Sequence, residues 1–118
     1  MLREEDATRL RHIVDAAREA LEHAAGRTRE DLDIDRQLLH SLVRCVEIIG
    51  EAANNLTSEF QAEHPEIPWA QIIGMRNRLV HGYFDINHAV VWKTVQDEMF
   101  PLISQLSAIL GAEDERQE

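Results

Sequence analysis

The sequence contains little cysteine, glycine or proline. Of its 118 residues, one is cysteine, five are glycine and three are proline. A single thiol excludes a disulfide within the chain and a zinc site built from several cysteines. Antiparallel sandwiches and barrels place glycine and proline in their many turns, so the low content of both residues disfavours these folds. The low content of all three residues favours a helical domain.

The sequence also lacks a long apolar run. No stretch approaches the roughly 20 apolar residues that a membrane-spanning helix requires. Residues 1–25 are charged where a secretory signal would be apolar. A chain of 118 residues has the usual size of one domain. We therefore expect a cytoplasmic protein with no membrane contact, consisting of a single helical domain over residues 1–111 and a charged, disordered tail at residues 112–118.

Basic residues are scarce relative to acidic ones. The chain has 12 Lys and Arg against 22 Asp and Glu, which gives a net charge of −10. Nucleic acid is a polyanion, so an acidic protein repels it unless basic side chains are concentrated in one place. The segment from Arg76 to Lys93 has three basic residues and one acid, a net charge of +2. Nucleic acid could therefore bind at this segment, while the acidic remainder suits a protein partner.

Apolar residues recur at helical spacing along most of the chain. The pattern predicts long helices over residues 4–25 and 34–56, short helices at 58–63 and 69–81, and a last helix that is capped by Asp85 or Asn87 and ends near Leu110. Residues 27–35 are polar and predict a loop in which Asp33 or Asp35 caps the next helix. Pro101 should kink the last helix. Amphipathic helices joined by short connections predict an all-α fold, an up-and-down bundle of four to five helices.

The short helix over residues 69–81 ends in a polar cluster. Arg76, Asn77 and His81 fall where a bundle helix would continue its apolar stripe. Arginine can hold a phosphate and offset its developing charge, and histidine can transfer a proton near neutral pH. On one helix, Asn77 and His81 share a face, and the C-terminal dipole favours protonated His81 as a general acid. Arg76 and His81 would lie about 140° apart, so a two-fold homodimer that pools both copies improves the geometry.

Two carboxylates on the second long helix could serve this cluster. Glu47 and Glu51 are one turn apart, but a metal site would need at least two further ligands. We expect one of them to position Arg76 and the other to be solvated, and we assign the supporting role to Glu51, together with Asn77. The other histidines show no metal-binding spacing, and Cys45 falls within an apolar stripe as a small core residue. We expect no metal and no cofactor.

The motif resembles that of a known ribonuclease family. Arg76, followed after four residues by His81-Gly82-Tyr83, is similar to the Arg-x4-His-x-Tyr signature of HepT-like toxins in the HEPN superfamily. The resemblance runs from Leu10 to Leu110 and includes the sequences EIIGEAA from Glu47, IPW from Ile67 and VW from Val91. It implies an α-helical homodimer that cuts RNA without a metal. It also implies that Arg76 and His81 are catalytic residues that face each other across the dimer, with Asn77 in support.

The resemblance further implies a toxin–antitoxin pair similar to type VII systems. Attack by the ribose 2′-hydroxyl would leave a 2′,3′-cyclic phosphate, and a minimal nucleotidyltransferase antitoxin would transfer AMP to Tyr83, the only tyrosine. An anionic adduct two residues from His81 would block the cleft and repel phosphate. The alternative is a non-catalytic subunit that binds or regulates such a nucleotidyltransferase, because the acidic composition suits a protein partner better than RNA.

Overall fold

The described part of the chain consists of seven helices and one short hairpin. The computed structural model describes residues 2–81 and 85–117, and the side chains of residues 2–80 and 85–112. The predicted all-α fold is confirmed, because each of the two strands is only two residues long. The elements are α1 (Glu4–Ala24), α2 (Asp31–Ile34), α3 (Arg36–Asn54), α4 (Ser58–Glu63), α5 (Trp69–Ile73), α6 (Met75–Leu79), β1 (Val80–His81), β2 (Asp85–Ile86) and α7 (His88–Gln117).

Three long helices, α1, α3 and α7, form the frame of the molecule. Helix α1 packs against both α3 and α7, since its apolar residues recur every three or four positions along one face. Alanines on this face let the helices approach closely. The fully buried frame residues include Leu10, Ile13, Ala17 and Ala20 on α1, Leu42, Val46, Ile49 and Ala53 on α3, and Val91, Val95, Met99 and Leu106 on α7.

Polar side chains cap α3 and α7 at their N-termini. Asp35 accepts a hydrogen bond from the Leu38 N–H at 3.0 Å at the start of α3, and Asn87 accepts one from the Val90 N–H at 3.1 Å at the start of α7. Each cap satisfies a backbone donor that has no partner within its own helix. Both residues were among the caps that the sequence predicted.

A buried carboxylate connects α1 to the start of α4. Asp6 is only 1% exposed. It accepts hydrogen bonds from the Thr57 backbone N–H at 2.9 Å and from the Thr57 hydroxyl at 2.7 Å. Thr57 in turn caps α4 by accepting the Phe60 N–H at 3.2 Å. Two charge-assisted hydrogen bonds thus compensate the carboxylate for its lost hydration.

Three boundaries differ from those predicted. The polar stretch 27–35 contains helix α2, whose flanking carboxylates Asp31 and Asp35 bind Arg27 at 3.3 and 2.8 Å. The predicted helix over 69–81 is divided into α5, α6 and β1, and α7 continues to Gln117. That helix overlaps the predicted tail at 112–118, whose expected disorder stays a prediction, as does the kink at Pro101. No helix of the described residues is both long and apolar enough to cross a membrane.

Candidate active site

The candidate catalytic residues lie on α6 and β1. Helix α6 is only five residues long, and two of them, Met75 and Leu79, are buried at 1% and 0% exposure. These two side chains fix α6 to the frame. Arg76, Asn77 and Arg78 lie between them and are exposed. The short helix thus presents three consecutive polar side chains to solvent from an apolar base.

Helix α5 ends and α6 begins where the backbone of the chain lies in close contact with α3. A Cβ atom on Gly50 of α3 would come within 3.2 Å of the Ile73 carbonyl oxygen, and one on Gly74 within 3.3 Å of the Ala70 carbonyl oxygen. Glycine at position 50 therefore permits α5 to approach α3 closely, and Gly74, a weak helix former, ends α5. The glycine in the EIIGEAA sequence has a packing role that positions the motif.

His81 lies in a strand and not on the preceding helix, so the prediction of one helix over 69–81 is wrong at its end. Strand β1 pairs antiparallel with β2, with Val80 opposite Ile86 and His81 opposite Asp85. The Leu79 carbonyl oxygen also accepts the Asn87 N–H at 2.8 Å. The predicted common face with Asn77, the 140° separation from Arg76 and the effect of the helix dipole therefore do not apply.

Two predicted site features fall outside the described atoms. These are the side chain of His81 and the whole of Tyr83, which follows Gly82. The catalytic role of His81 and the modification of Tyr83 therefore stay predictions. The backbone of β1 and β2 nevertheless defines where this segment leaves and rejoins the frame, since α6 precedes it and α7 follows it.

Arg76 is held by one carboxylate from the neighbouring helix α3. Its Nε donates to Oε2 of Glu47 at 3.2 Å, and the two side chains are 50% and 34% exposed. The Nη nitrogens make no hydrogen bond to any other side chain that the structure describes. Contact through Nε alone fixes the direction of the guanidinium and leaves its two terminal nitrogens able to bind a phosphate.

The neighbouring arginine is bound more completely. Arg78 donates from Nη2 and Nη1 to the two carboxylate oxygens of Glu98 on α7, at 3.0 and 3.3 Å. Two of the three basic residues in the predicted positive segment thus have acidic partners. Glu47, from another helix, and Glu98, just beyond the segment, therefore bring the local charge below the net charge of +2 counted for residues 76–93 alone.

Glu47, not Glu51, is the carboxylate that the structure brings to Arg76. Glu51 is exposed one turn further along α3 and lines a groove between α1 and α3 beside Arg9 and Arg44. It makes no ion pair with Arg76. Its supporting role stays a prediction, as does that of Asn77, whose side chain is exposed.

A second groove of about 350 Å³ borders the hairpin. Its lining includes Arg36 and His40 of α3, Asp85 of β2, and the pair Asp33–His88. Asp33 contacts His88 Nδ1 at 2.7 Å. Hydrogen bonds from His88 and then from Arg29 lower the pKa of Asp33 below its ordinary value. The groove thus combines one arginine, two imidazoles and two carboxylates next to the motif.

Cys45 is unsuited to nucleophilic chemistry. It is 3% exposed within α3, which confirms its predicted place in the core. Burial, and secondarily the nearby carboxylate of Glu19, raises the pKa of the Cys45 thiol to about 11. The reactive thiolate is therefore scarce near neutral pH. With Glu19 and His23, however, Cys45 forms a group of potential metal ligands among the described residues, which the sequence spacing did not reveal because the group spans two helices.

Comparisons with known proteins agree on one family. The family described as "Ribonuclease HepT-like" matches residues 13–109. A protein of Caldanaerobacter subterraneus subsp. tengcongensis, named as a candidate RNase, is 39% identical over 104 residues, covering 88% of this chain and 93% of that protein. A protein of Thermococcus cleftensis, named as a probable ribonuclease HepT, is 41% identical over 70 residues, covering 59% and 64%.

A third relative comes from Methanocaldococcus jannaschii. It is also named as a candidate RNase and is 29% identical over 87 residues, covering 74% of this chain and 80% of that protein. No solved structure gives a significant match to this chain. The family match covers residues 13–24 of α1, all of α3 and residues 69–87, which carry the motif. It therefore includes every candidate site residue.

Proposed function

The chain belongs to the HepT-like ribonuclease family, and from that premise we propose that it is a metal-independent endoribonuclease whose catalytic residues are Arg76 and His81. The observation that carries the proposal is the exposed guanidinium of Arg76, which is held through Nε by Glu47. Arg76 lies on α6, five residues before His81 of β1. The named relatives support RNA as the substrate.

The proposed reaction is an internal transfer at phosphorus. The ribose 2′-oxygen attacks the adjacent phosphorus, its proton passes to a base, and the 5′-oxygen leaves after gaining a proton. The products are a 2′,3′-cyclic phosphate and a 5′-hydroxyl. The Nη groups of Arg76 donate to the non-bridging oxygens, where negative charge accumulates. His81 transfers the proton to the leaving oxygen, and Asn77 helps to orient the substrate.

The active site is proposed to be composite. Arg76 of one protomer and His81 of its partner act together in a cleft of a two-fold homodimer. The chain as a whole is acidic, with a net charge of −10, so binding to RNA should be weak outside this cleft.

Cleavage in the presence of EDTA is the first test. The purified protein should degrade RNA with EDTA present, and Arg76→Ala and His81→Ala should abolish cleavage while leaving the oligomeric state unchanged. Products that carry 2′,3′-cyclic phosphate ends support the reaction. Undiminished cleavage by both variants would show that the catalytic assignment is wrong.

Mixing the two inactive variants tests the composite site. In a heterodimer of Arg76→Ala and His81→Ala, one of the two sites keeps both wild-type residues if the site is shared between protomers. Random exchange should then restore about a quarter of the wild-type rate, because half of the dimers are mixed and each has one intact site. No recovery in mixtures that contain heterodimers would place Arg76 and His81 in the same protomer.

We further propose that the protein is the toxin of a pair whose antitoxin is a minimal nucleotidyltransferase that adds AMP to Tyr83. Intact mass after co-expression should rise in units of AMP, and Tyr83→Phe should prevent the increase. Tight association with such an enzyme, with no nuclease activity at any ratio of protein to RNA, would instead identify a non-catalytic regulatory subunit. The acidic composition, with a net charge of −10, favours that alternative.

A further inference from the structure

Three potential metal ligands lie together on the face where α1 and α3 meet. Glu19 and His23 are one turn apart on α1, and Cys45 faces them from α3. One ligand atom from each residue lies within 4.8 Å of the others, and His23 Nε2 is already 3.5 Å from Glu19 Oε1. All three line an open groove of about 490 Å³, so an ion and its water can reach them.

The donor atoms select the class of metal. A thiolate sulfur, an imidazole nitrogen and a carboxylate oxygen form a mixed set that suits Zn²⁺, whereas Mg²⁺ and Ca²⁺ prefer oxygen ligands alone. Three protein ligands leave the fourth tetrahedral position to a water from the groove. Arg44 also lines the groove, but it is exposed, so solvent and salt screen its repulsion of the ion.

The three donor atoms are almost as close to one another as they would be around a bound zinc ion. Zinc–ligand bonds of about 2.0–2.3 Å in a tetrahedron separate the donor atoms by about 3.3–3.8 Å. The group therefore needs to contract by no more than about 1.0–1.5 Å from its present limit of 4.8 Å. The side chains of His23 and Glu19 are 38% and 57% exposed and can supply this by rotation. Cys45, at 3% exposure, provides the fixed point.

We propose that Glu19, His23 and Cys45 bind one zinc ion that clamps α1 to α3. On binding, the Cys45 S–H bond breaks, its proton passes to solvent, and an Sγ–Zn bond forms. The ion joins two helices of the frame and involves none of the residues proposed for RNA cleavage. Zinc would therefore act on the stability of the fold, and not on the proposed metal-independent reaction.

Cobalt titration of the full-length, metal-stripped protein tests the site. Co²⁺ replaces Zn²⁺ in tetrahedral sites and gives a near-ultraviolet absorption band only when a thiolate binds it. We expect this band at one Co²⁺ per chain, its loss when Zn²⁺ is added, and a rise in Tm with Zn²⁺ because the ion binds only the folded state. Cys45→Ser should remove the band, and Glu19→Gln and His23→Gln should each weaken binding by more than about tenfold.

His40→Gln is the matched control. His40 lines the same groove but is outside the ligand group, so this variant should bind Co²⁺ as the wild type does. Glu19→Gln and His23→Gln alter exposed side chains, and so they keep the test decisive if Cys45→Ser does not fold. Absence of the thiolate band, or an equal loss in His40→Gln and His23→Gln, would overturn the proposal.

Discussion

Buried leucines have different roles in the frame helices and in residues 69–87, the motif segment. In the frame, Leu10 and Leu42 are 0% exposed and lie on helices of 21 and 19 residues. In the motif segment, Leu79 is equally buried, but it belongs to a helix of five residues that also presents Arg76. Stability therefore resides in the frame, and the motif segment relies on the frame while it directs polar groups outward.

Removing the side chain of Arg76 should have the largest effect on activity and almost none on stability. We expect Arg76→Ala to lower the RNA cleavage rate by about 10²–10³-fold, because the donors to the developing phosphate charge are lost. The free energy of unfolding should change by less than about 0.5 kcal/mol, since an exposed ion pair contributes little. Cleavage rates and urea unfolding curves measure both quantities.

Arg78→Ala is the control for that variant. Arg78 is bound to Glu98 through both Nη atoms, so a phosphate would have to compete with this carboxylate for its terminal nitrogens. Its loss should change the cleavage rate by less than about tenfold. Equal losses in Arg76→Ala and Arg78→Ala would mean that the segment binds RNA through general positive charge.

Truncating a frame leucine should have the opposite effect. Leu42 is 0% exposed in the core, and Leu42→Ala should lower the free energy of unfolding by about 3 kcal/mol through lost burial and a cavity. The cleavage rate per folded molecule should not change. Ile34→Ala is the control, because Ile34 is 83% exposed and its truncation should cost less than about 0.5 kcal/mol. A large loss of activity in folded Leu42→Ala would contradict the separation between frame and segment.

The spacing of apolar residues predicted the helices of the frame but not the path of the motif segment. Helices α1 and α3 follow from apolar spacing over many turns, and the caps Asp35 and Asn87 follow from residue type and position. The end of α6 does not, because the pairing of Val80 with Ile86 is a contact between strands that helical periodicity cannot represent. Apolar spacing therefore predicted the two residues of β1 as the end of a helix.

The catalytic roles stay predictions, but the contacts of Arg76 can be compared with those expected from the sequence. Arg76 and a partner glutamate were predicted from one motif and one helix face. The choice of Glu47 over Glu51 depends on how α6 lies across α3, which Gly50 sets by close contact with Ile73. The ion pair between Arg78 and Glu98 was not foreseen, because it joins α6 to α7.

Adding one methyl group where the motif segment contacts the frame should affect both the stability of the fold and the activity. In Gly50→Ala, the new Cβ would lie 3.2 Å from the Ile73 carbonyl oxygen, so α5 must move and α6 moves with it. We expect a loss of about 1–2 kcal/mol in unfolding free energy together with a lower cleavage rate. Gly111→Ala is the control, since nothing lies within 4 Å of its added Cβ. Unchanged activity in Gly50→Ala would show that the segment tolerates displacement of its support.

Acidification should produce the smallest effect, at the turn before α3. Hydrogen bonds from Arg27 and from the Leu38 N–H hold the pKa of Asp35 below its ordinary value of 3.8. A carboxylate with a lowered folded pKa stabilises the fold above its unfolded pKa, and this contribution is lost as the pH falls through the folded pKa. The urea midpoint of Arg27→Gln should therefore lie slightly below that of the wild type at pH 6. The two midpoints should converge as the pH falls below the folded pKa, and a difference that grows on acidification would contradict this assignment.

The position of α1 between α3 and α7 has a consequence for synthesis on the ribosome. Helix α1 ends at Ala24 and α7 begins at His88, so the second face of α1 stays uncovered until more than sixty further residues have been made. At about 5–20 residues per second, that interval lasts several seconds. The motif segment is translated within it, before the helix that completes its support. A nascent chain therefore has an incomplete candidate site until α7 has been made.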